Sequence, residues 1–352
     1  MQALSIFGSG VVTAVGLDAP STCAAIRGAL DNFQESRFVD RGGKWQMAAQ
    51  VALGNAGASR QKLLTMAAQA ISEALRSTPG VDPASTVLLL GVAEEDRPGR
   101  LEHLDHSLLR DLENLMGVRF HPASNVLARG RVSAAVGLLN ARKLIVEQGH
   151  QHVLVAGVDS LLNAHTLAAF DAADRLLTSQ NTNGFIPGEG AAAVLLGAPL
   201  ASEQPQLLCI GLGFGVEPST VLAEGIPLRA EGLTTALRAA LDEAGCGLEN
   251  FDYRLTDISG EQYYFKEAAL LLSRTYRVRK ERFALKHPAD CVGECGAATG
   301  PLLLASALAA ARKGYGDGPN VLCHLGNDGG QRAVMLLAYQ VVERSLMPLG
   351  AR

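Results

Sequence analysis

The chain has 352 residues, 48% of them hydrophobic, and a formal net charge of −4 at pH 7. It is long and apolar enough to bury one large core or two fused halves of ordinary domain size, which excludes a disordered chain. Charges of both signs are mixed along the sequence, so the composition favours neither nucleic acid nor an anionic membrane as a partner.

The first half begins as an alternation of strands and helices. Residues 2–7 predict a strand, which leads through a glycine-rich turn to a predicted helix at 21–30. Residues 61–76 carry leucine, isoleucine and alanine at helical spacing, and the apolar run 87–91 that follows predicts a buried strand. Alternation of this kind is typical of a sheet covered by helices.

The stretch 127–160 contains the clearest helix and strand of the chain. After a turn at 128–133, small and apolar residues recur on one helical face, and charge appears only near the end of the segment. Gly149 supplies a stop, and residues 153–156 form the short apolar run expected of a strand covered on both faces. The residues on the helical face are Ala134, Leu138, Ala141 and Ile145. We therefore expect a buried helix that leads into a buried strand.

The pattern repeats after residue 200. Strands are predicted at 207–213 and 253–258, and helices at 233–244 and 267–272. The remaining predicted elements are a strand at 283–285, an alanine-rich helix at 297–311, and strands at 320–325 and 334–339. Because this order resembles that of the first half, the sequence implies two similar halves.

Cysteine and histidine usage does not favour a metal site or a disulfide framework. Six scattered cysteines suit a reducing compartment, and the start of the chain lacks the basic and apolar regions of a signal peptide, so we expect a cytoplasmic protein. Cys291, Cys295 and His287 lack the spacing and the second pair of a zinc site. The histidines within 92–121 lie among charged residues and are expected to be solvated. We expect no metal, no cofactor and no membrane span.

Two stretches resemble the β-ketoacyl synthases of the thiolase superfamily. They are the turn, helix and strand within 127–160 and the segment NGFIPGEGAAAVLL at 183–196. The resemblance implies an α/β fold of five layers, αβαβα, built from two duplicated halves. The N-terminal thiolase-like half is expected at 1–200 and the C-terminal one at 201–352.

The resemblance fails at each catalytic side chain. In the family a cysteine at the start of a buried helix carries the acyl group, and two histidines promote decarboxylation and stabilise the enolate. Here Val132 or Ser133 stands where the cysteine belongs, and Glu294 replaces the second histidine before a Gly-Ala-Ala helix start. A carboxylate at that place would oppose a developing oxyanion. The other matching positions are Ser259, Gly260 and Glu261 for the first histidine's turn, and Lys286 for the family's lysine.

The resemblance places an acyl pocket between the two halves. Its closing glycine-rich turn survives as residues 325–330, without the family's phenylalanine. We expect bulky side chains such as Val132 and Phe185 to close the pocket, because buried voids are unfavourable. The candidates for lining it are Arg129, Arg131, Phe185, Cys295, Asn327, Gly329 and Gly330.

Two classes of function remain. The first is a non-catalytic ketosynthase-like scaffold or adaptor, which partners a ketosynthase or serves a secretion-effector cluster, because all three catalytic side chains are absent. The second is an acyltransferase or 3-oxoacyl-ACP synthase-like enzyme that acts on acyl thioesters through a displaced nucleophile, Ser133 or Cys295. Ser133 would need a base such as Glu261 or Glu294, but a position at a helix N-terminus is the simpler interpretation of Glu261. The sequence favours the scaffold.

The resemblance also implies partners. Proteins of this fold pair through a strand from each subunit, and the region 125–157 would supply that strand here. We expect a homodimer or a heterodimer with a homologous ketosynthase-like chain. A further partner would be an acyl carrier protein in a ketosynthase system, or an effector protein in a secretion-effector cluster.

Overall fold

The computed structural model describes residues 2–54 and 59–343. The elements of the first half are β1 (Leu4–Val12), α1 (Ala19–Arg27), β2 (Phe33–Val39), β3 (Trp45–Ala49), α2 (Arg60–Arg76), β4 (Val87–Val92), α3 (Leu104–Met116), β5 (Asn125–Ala128), α4 (Ser133–Val146), β6 (His152–Ser160), α5 (Ala164–Ala172) and β7 (Glu189–Gly197). Those of the second half are β8 (Ser202–Val216), α6 (Glu231–Ala244), β9 (Tyr253–Thr256), α7 (Gln262–Thr275), β10 (Leu285–Lys286), α8 (Ala289–Val292), α9 (Thr299–Lys313), β11 (Asn320–Gly326) and β12 (Gln331–Val342).

The strands show the duplication directly. Ten of them form one sheet in the order β10-β9-β11-β12-β8-β1-β7-β6-β4-β5, and β2 pairs with β3 separately. The order β1-β7-β6-β4-β5 has two antiparallel pairings followed by two parallel ones, and so does β8-β12-β11-β9-β10. A short antiparallel ladder between β1 and β8 joins the two sets. The fold is therefore built from two duplicated halves.

Apolar packing arranges these elements in five layers. A core cluster holds Leu138 of α4 and Leu303 of α9 between Val155 of the first half and Cys323 of the second, so these two helices form the central layer. Helices α2 and α3 cover the outer face of the first half, and α6 and α7 cover that of the second. The thiolase-like αβαβα prediction is confirmed, whereas the division at residue 200 stays a prediction.

Most of the long predicted elements are present with shifted ends. The helix predicted at 297–311 begins at Thr299, after a tight 3-10 turn, and α7 is longer than the predicted 267–272. The strand predicted at 283–285 is the two-residue β10. The unpredicted elements are the hairpin β2–β3, α3, β5, α5, β7 and α8. Most of them are short, and α3 lies in a stretch rich in charge and histidine. None of the helices within the described residues is both long and apolar enough to cross a membrane.

Candidate functional site

Two helix starts of the same construction meet between the halves. A 3-10 turn at Gly130–Val132 precedes α4, and a second at Gly296–Ala298 precedes α9. Each turn donates a backbone hydrogen bond to a side chain at the end of a strand in the other half. Val132 N donates to Asn327 Oδ1 at 3.4 Å, and Ala297 N donates to Asp159 Oδ2 at 3.0 Å. The duplicated fold therefore fixes both turns side by side.

Arg131 extends from the first turn into the interior, where its side chain is only 7% exposed. Its Nη2 atom donates to Asp328 Oδ1 at 2.6 Å and to Tyr264 Oη at 2.9 Å. Its Nη1 atom donates to Glu294 Oε2 at 3.2 Å, and its Nε atom lies 3.7 Å from Asp257 Oδ2. One guanidinium thus contacts three carboxylates and a phenol.

Arg175 adds a second cation to this group. It donates from Nε and Nη2 to the two carboxylate oxygens of Glu261, at 2.8 Å and 2.7 Å, and it also bonds Asp328. Its guanidinium lies 5.1 Å and 5.6 Å from the ring centres of Phe170 and Phe185. Asp328 therefore links the two arginines. We refer to the connected side chains Arg131, Arg175, Asp257, Glu261, Tyr264, Glu294 and Asp328 as the Arg131 cluster.

The Arg131 cluster contains four carboxylates and two guanidinium groups, and burial is the largest influence on the pKa values of Glu294 and Asp257. Burial raises the pKa of Glu294 to about 7, although Arg131 opposes the shift. Burial also raises the pKa of Asp257. Burial alone would raise the pKa of Asp328 as well, but Arg131 and Arg175 hold it well below its usual range. We therefore expect Glu294 to carry the exchangeable proton of the cluster near neutral pH.

A cavity of about 590 Å³ adjoins the Arg131 cluster. The prediction that bulky side chains close the pocket is therefore wrong. Five predicted candidates line it: Arg129, Arg131, Phe185, Asn327 and Gly329. Val132 instead packs into the apolar core between the halves. Charged side chains held by directed hydrogen bonds form part of the cavity wall, and such groups cannot collapse into a void as an apolar side chain does.

Comparison with known proteins shows similarity to β-ketoacyl synthases over part of the chain. The family model described as "Beta-ketoacyl synthase, N-terminal domain" matches residues 132–199. The "Actinorhodin polyketide putative beta-ketoacyl synthase 2" of Streptomyces coelicolor is 27% identical over 203 residues, which are 54% of this chain and 49% of that protein. The chain thus spans about half the length of the curated relative it matches.

Solved structures extend the likeness to almost the whole chain. A type II polyketide synthase acyl-carrier protein in complex with its ketosynthase bound to the hexaketide gives a TM-score of 0.77 at 13% identity, covering 96% of this chain and 99% of that one. The ketosynthase ApeO in complex with its chain length factor ApeC from Xenorhabdus doucetiae gives 0.73 at 14%, covering 96% and 98%. The chain is β-ketoacyl synthase-like.

The ketosynthase-like fold brings several predicted site residues together. Val132 and Ser133 stand at the start of α4, and Ser259 Oγ donates to Glu294 Oε2 at 3.0 Å. Gly260 packs against the backbone of residue 184 with a φ of 134°. Glu261 does stand at the N-terminus of α7, but its carboxylate binds Arg175 instead of a backbone N–H of the helix.

Both candidate nucleophiles are buried, and within residues 2–54 and 59–343 neither is hydrogen-bonded to a basic side chain. Ser133 Oγ donates to Leu127 O at 3.1 Å. Cys295 is fully buried, with Sγ 3.2 Å from Val292 O, and burial together with Glu294 raises the pKa of its thiol well above the usual value. Neither side chain is among those that line the cavity.

Two further candidates lie away from the cluster. Lys286 Nζ pairs with Asp317 Oδ2 at 2.8 Å on strand β10, at the edge of the sheet. Gly330 is outside the cavity lining, and its carbonyl accepts a hydrogen bond from Glu217 N at 2.8 Å. Lys286 therefore forms its ion pair outside the Arg131 cluster.

Sequence reasoning missed four members of the Arg131 cluster: Asp257, Asp328, Tyr264 and Arg175. Asp257 directly follows β9, and Asp328 lies two residues after β11. Polar side chains at the ends of parallel strands are a signal that could have found these two, because such ends meet at one edge of a sheet. Arg175 follows α5 in a part of the chain with no comparable pattern.

Proposed function

We propose that this chain is a non-catalytic ketosynthase-like protein that acts through a partner. The observation that carries the proposal is the Arg131 cluster. Arg131 directly precedes the positions that the resemblance matches to the nucleophile, and Glu261 and Glu294 stand at positions that it matches to the two histidines. A guanidinium that stays protonated cannot carry an acyl group. Carboxylates around it would oppose the negative charge of a tetrahedral or enolate intermediate.

The environment of the candidate nucleophiles supports this choice over an acyltransferase. A serine activated for attack needs a base within hydrogen-bond reach, but the Ser133 hydroxyl is bonded to a backbone carbonyl. A reactive cysteine needs a stabilised thiolate, but the surroundings of Cys295 favour the protonated thiol. Acyl transfer through either residue would require its surroundings to rearrange.

The edge of the first half offers a surface for the partner. Strand β5 pairs only with β4 and ends the ten-stranded sheet, so its other side has no strand partner within the described chain. A second strand would satisfy those groups. We propose a dimer through β5, with a second copy or with a homologous ketosynthase.

The solved structures with a similar fold include ketosynthases in complex with a chain length factor or an acyl-carrier protein. This favours such partners over an effector protein. A cytoplasmic location is part of the proposal, and the six cysteines are free thiols in the structure. Sedimentation of the purified chain, alone and co-expressed with an active ketosynthase homologue, would check the association. A stable monomer in both samples would contradict the dimer.

Intact-mass measurement tests the absence of catalysis. The chain is incubated with hexanoyl-CoA and with a hexanoyl-carrier-protein thioester, beside an active ketosynthase as the positive control. We expect the mass of the wild-type chain to stay unchanged. Val132→Cys places a thiol at one of the two positions that match the family's cysteine and should also remain unacylated, because no histidine stands at the positions that match the family's two histidines. A stoichiometric acyl adduct on the wild-type chain would contradict the proposal.

A further inference from the structure

A strongly basic segment begins in the last turn of α7 and continues beyond it, near the edge of the second half. Residues 274–283, which we call the basic loop, read RTYRVRKERF and contain four arginines and one lysine against one glutamate. The whole chain, in contrast, has a net charge of −4. The four arginines are exposed, and across residues 2–54 and 59–343 no acidic side chain pairs with any of the five cations.

The base of the basic loop is held in place by aromatic packing. Tyr276 and Phe283 stack with ring centres 5.8 Å apart and an interplanar angle of 9°. Arg254 lies 5.0 Å from the centre of the Phe283 ring, and Lys280 bonds the carbonyl of Phe251. The two ends of the loop are therefore joined, and the residues between them project from a fixed base.

The basic loop lies away from the cavity. Its anchoring contacts are made at the N-terminal end of β9, where Phe251 accepts from Lys280 and Ala284 accepts from Arg254 N. The carboxylates of the Arg131 cluster follow the C-terminal ends of β9 and β11 instead. Since these strands are parallel, the two sites lie at opposite ends of the sheet. The cations of the loop are therefore not used by the cavity or its ion pairs.

We propose that the basic loop is a docking surface for an acidic segment of a partner protein. Arginine, which supplies four of the five cations, binds carboxylates through two parallel hydrogen bonds. Val278 lies among them with 51% of its surface exposed and offers an apolar contact inside the charged rim. A nucleic acid would need a longer stripe of phosphate contacts, which a negatively charged chain with one short basic loop does not provide.

Peptide binding tests the proposal, which stands independently of catalysis. The probe is a short fluorescent peptide of glutamates around one leucine, measured by anisotropy at low and high salt. Reversing three loop charges in the variant Arg277→Glu/Arg279→Glu/Arg282→Glu should weaken binding by about tenfold or more, equivalent to about 1.4 kcal/mol. The control reverses three exposed cations elsewhere that form no ion pair within the described part of the chain, Arg37→Glu/Arg238→Glu/Lys266→Glu. The affinity of this control variant for the peptide should fall by less than about threefold, because its substitutions alter only the long-range electrostatic field.

Two results would overturn the proposal. One is an equal loss of affinity in the loop variant and in the control, which would assign binding to net charge alone. The other is tighter binding of a single-stranded oligonucleotide of equal charge than of the peptide.

Val278→Ser gives a further check: it should weaken binding of the leucine peptide and leave binding of a serine-substituted peptide unchanged. Equal affinity of the unmodified chain for both peptides would also count against docking of a protein segment.

Discussion

The two helix starts that meet between the halves have the same backbone and opposite chemistry. Gly130 and Gly296 open the two turns with φ angles of 50° and 52°, and each turn is held by a polar side chain from the other half. The first turn then presents a cation, Arg131. The second turn presents the small residue Ala297 at the matching place, with the carboxylate of Glu294 just ahead of it.

Under the proposed non-catalytic function, this difference indicates how a duplicated scaffold can persist when its catalytic groups are replaced. The glycine turns and their backbone hydrogen bonds depend on geometry that side-chain loss does not disturb. Beside the two turns the structure holds charges of opposite sign, Arg131 from the first half and Glu294 from the second. We infer that the Arg131–Glu294 contact now joins the halves as a structural ion pair.

Removing the cation should have the largest effect. Arg131→Met leaves Asp257 and Glu294 buried without their guanidinium, and the loss of one partner of a buried ion pair typically costs about 3–5 kcal/mol. Urea unfolding at neutral pH measures the change in free energy of unfolding. The control is Arg129→Met, an exposed neighbour in the same turn, which should change stability by less than about 0.5 kcal/mol. A similar loss in both variants would show that the turn itself, and not the ion pair, is sensitive.

The pH dependence of stability should reveal Glu294. Its pKa is about 7 in the folded chain and 4.5 as a free side chain, so the folded state keeps a proton that the unfolded state releases. The stability from this proton is fully present below about pH 4.5 and is lost as pH rises to about 7. The free energy of unfolding of the wild type minus that of Glu294→Gln should therefore fall over this range, by at most about 1.4 kcal/mol per pH unit. A difference that grows with pH would mean that Arg131 outweighs burial.

Alanine substitutions at Gly130 and Gly296 test the two helix starts through smaller losses of stability. An added Cβ at Gly296 would lie 2.1 Å from Asp159 Oδ2, and one at Gly130 would lie 1.9 Å from Glu94 Oε1. Asp159 is fixed by Arg97 and by Ala297 N, whereas Glu94 forms no ion pair within the described residues and can move. We expect Gly296→Ala to lower stability by about 2 kcal/mol and Gly130→Ala by about 1 kcal/mol, mostly from left-handed backbone strain. Thermal unfolding of the pair would check the order, and the reverse order would contradict it.

The sequence was informative about the fold because the long elements carry strong apolar periodicity. The helix faces of α2, α4 and α6 and the apolar strand β6 were predicted from their own residues. The five-layered arrangement came from the resemblance, since periodicity does not specify how sheets stack. Short or polar elements such as β5 and the hairpin β2–β3 have too few residues to show a period.

The candidate site was predictable only in part. The absence of a cysteine and of two histidines can be read from the turns at 128–133, 257–261 and 293–298. The Arg131 cluster joins residues far apart in the chain, and Arg131 to Asp328 alone spans 197 positions. Such pairings depend on the folded topology. The charge of the basic loop was also overlooked, because Val278 and Glu281 interrupt its run of cations.

The most direct measurement of the central claim is a double-mutant cycle between Arg131→Met and Glu294→Gln. Unfolding free energies are compared at pH 8, above the pKa of about 7 at which Glu294 ionises in the folded chain. If the pair joins the halves as a structural ion pair, Arg131→Met should cost at least about 1 kcal/mol less in the Glu294→Gln background than in the wild type. Additive losses, with a coupling energy near zero, would contradict the account.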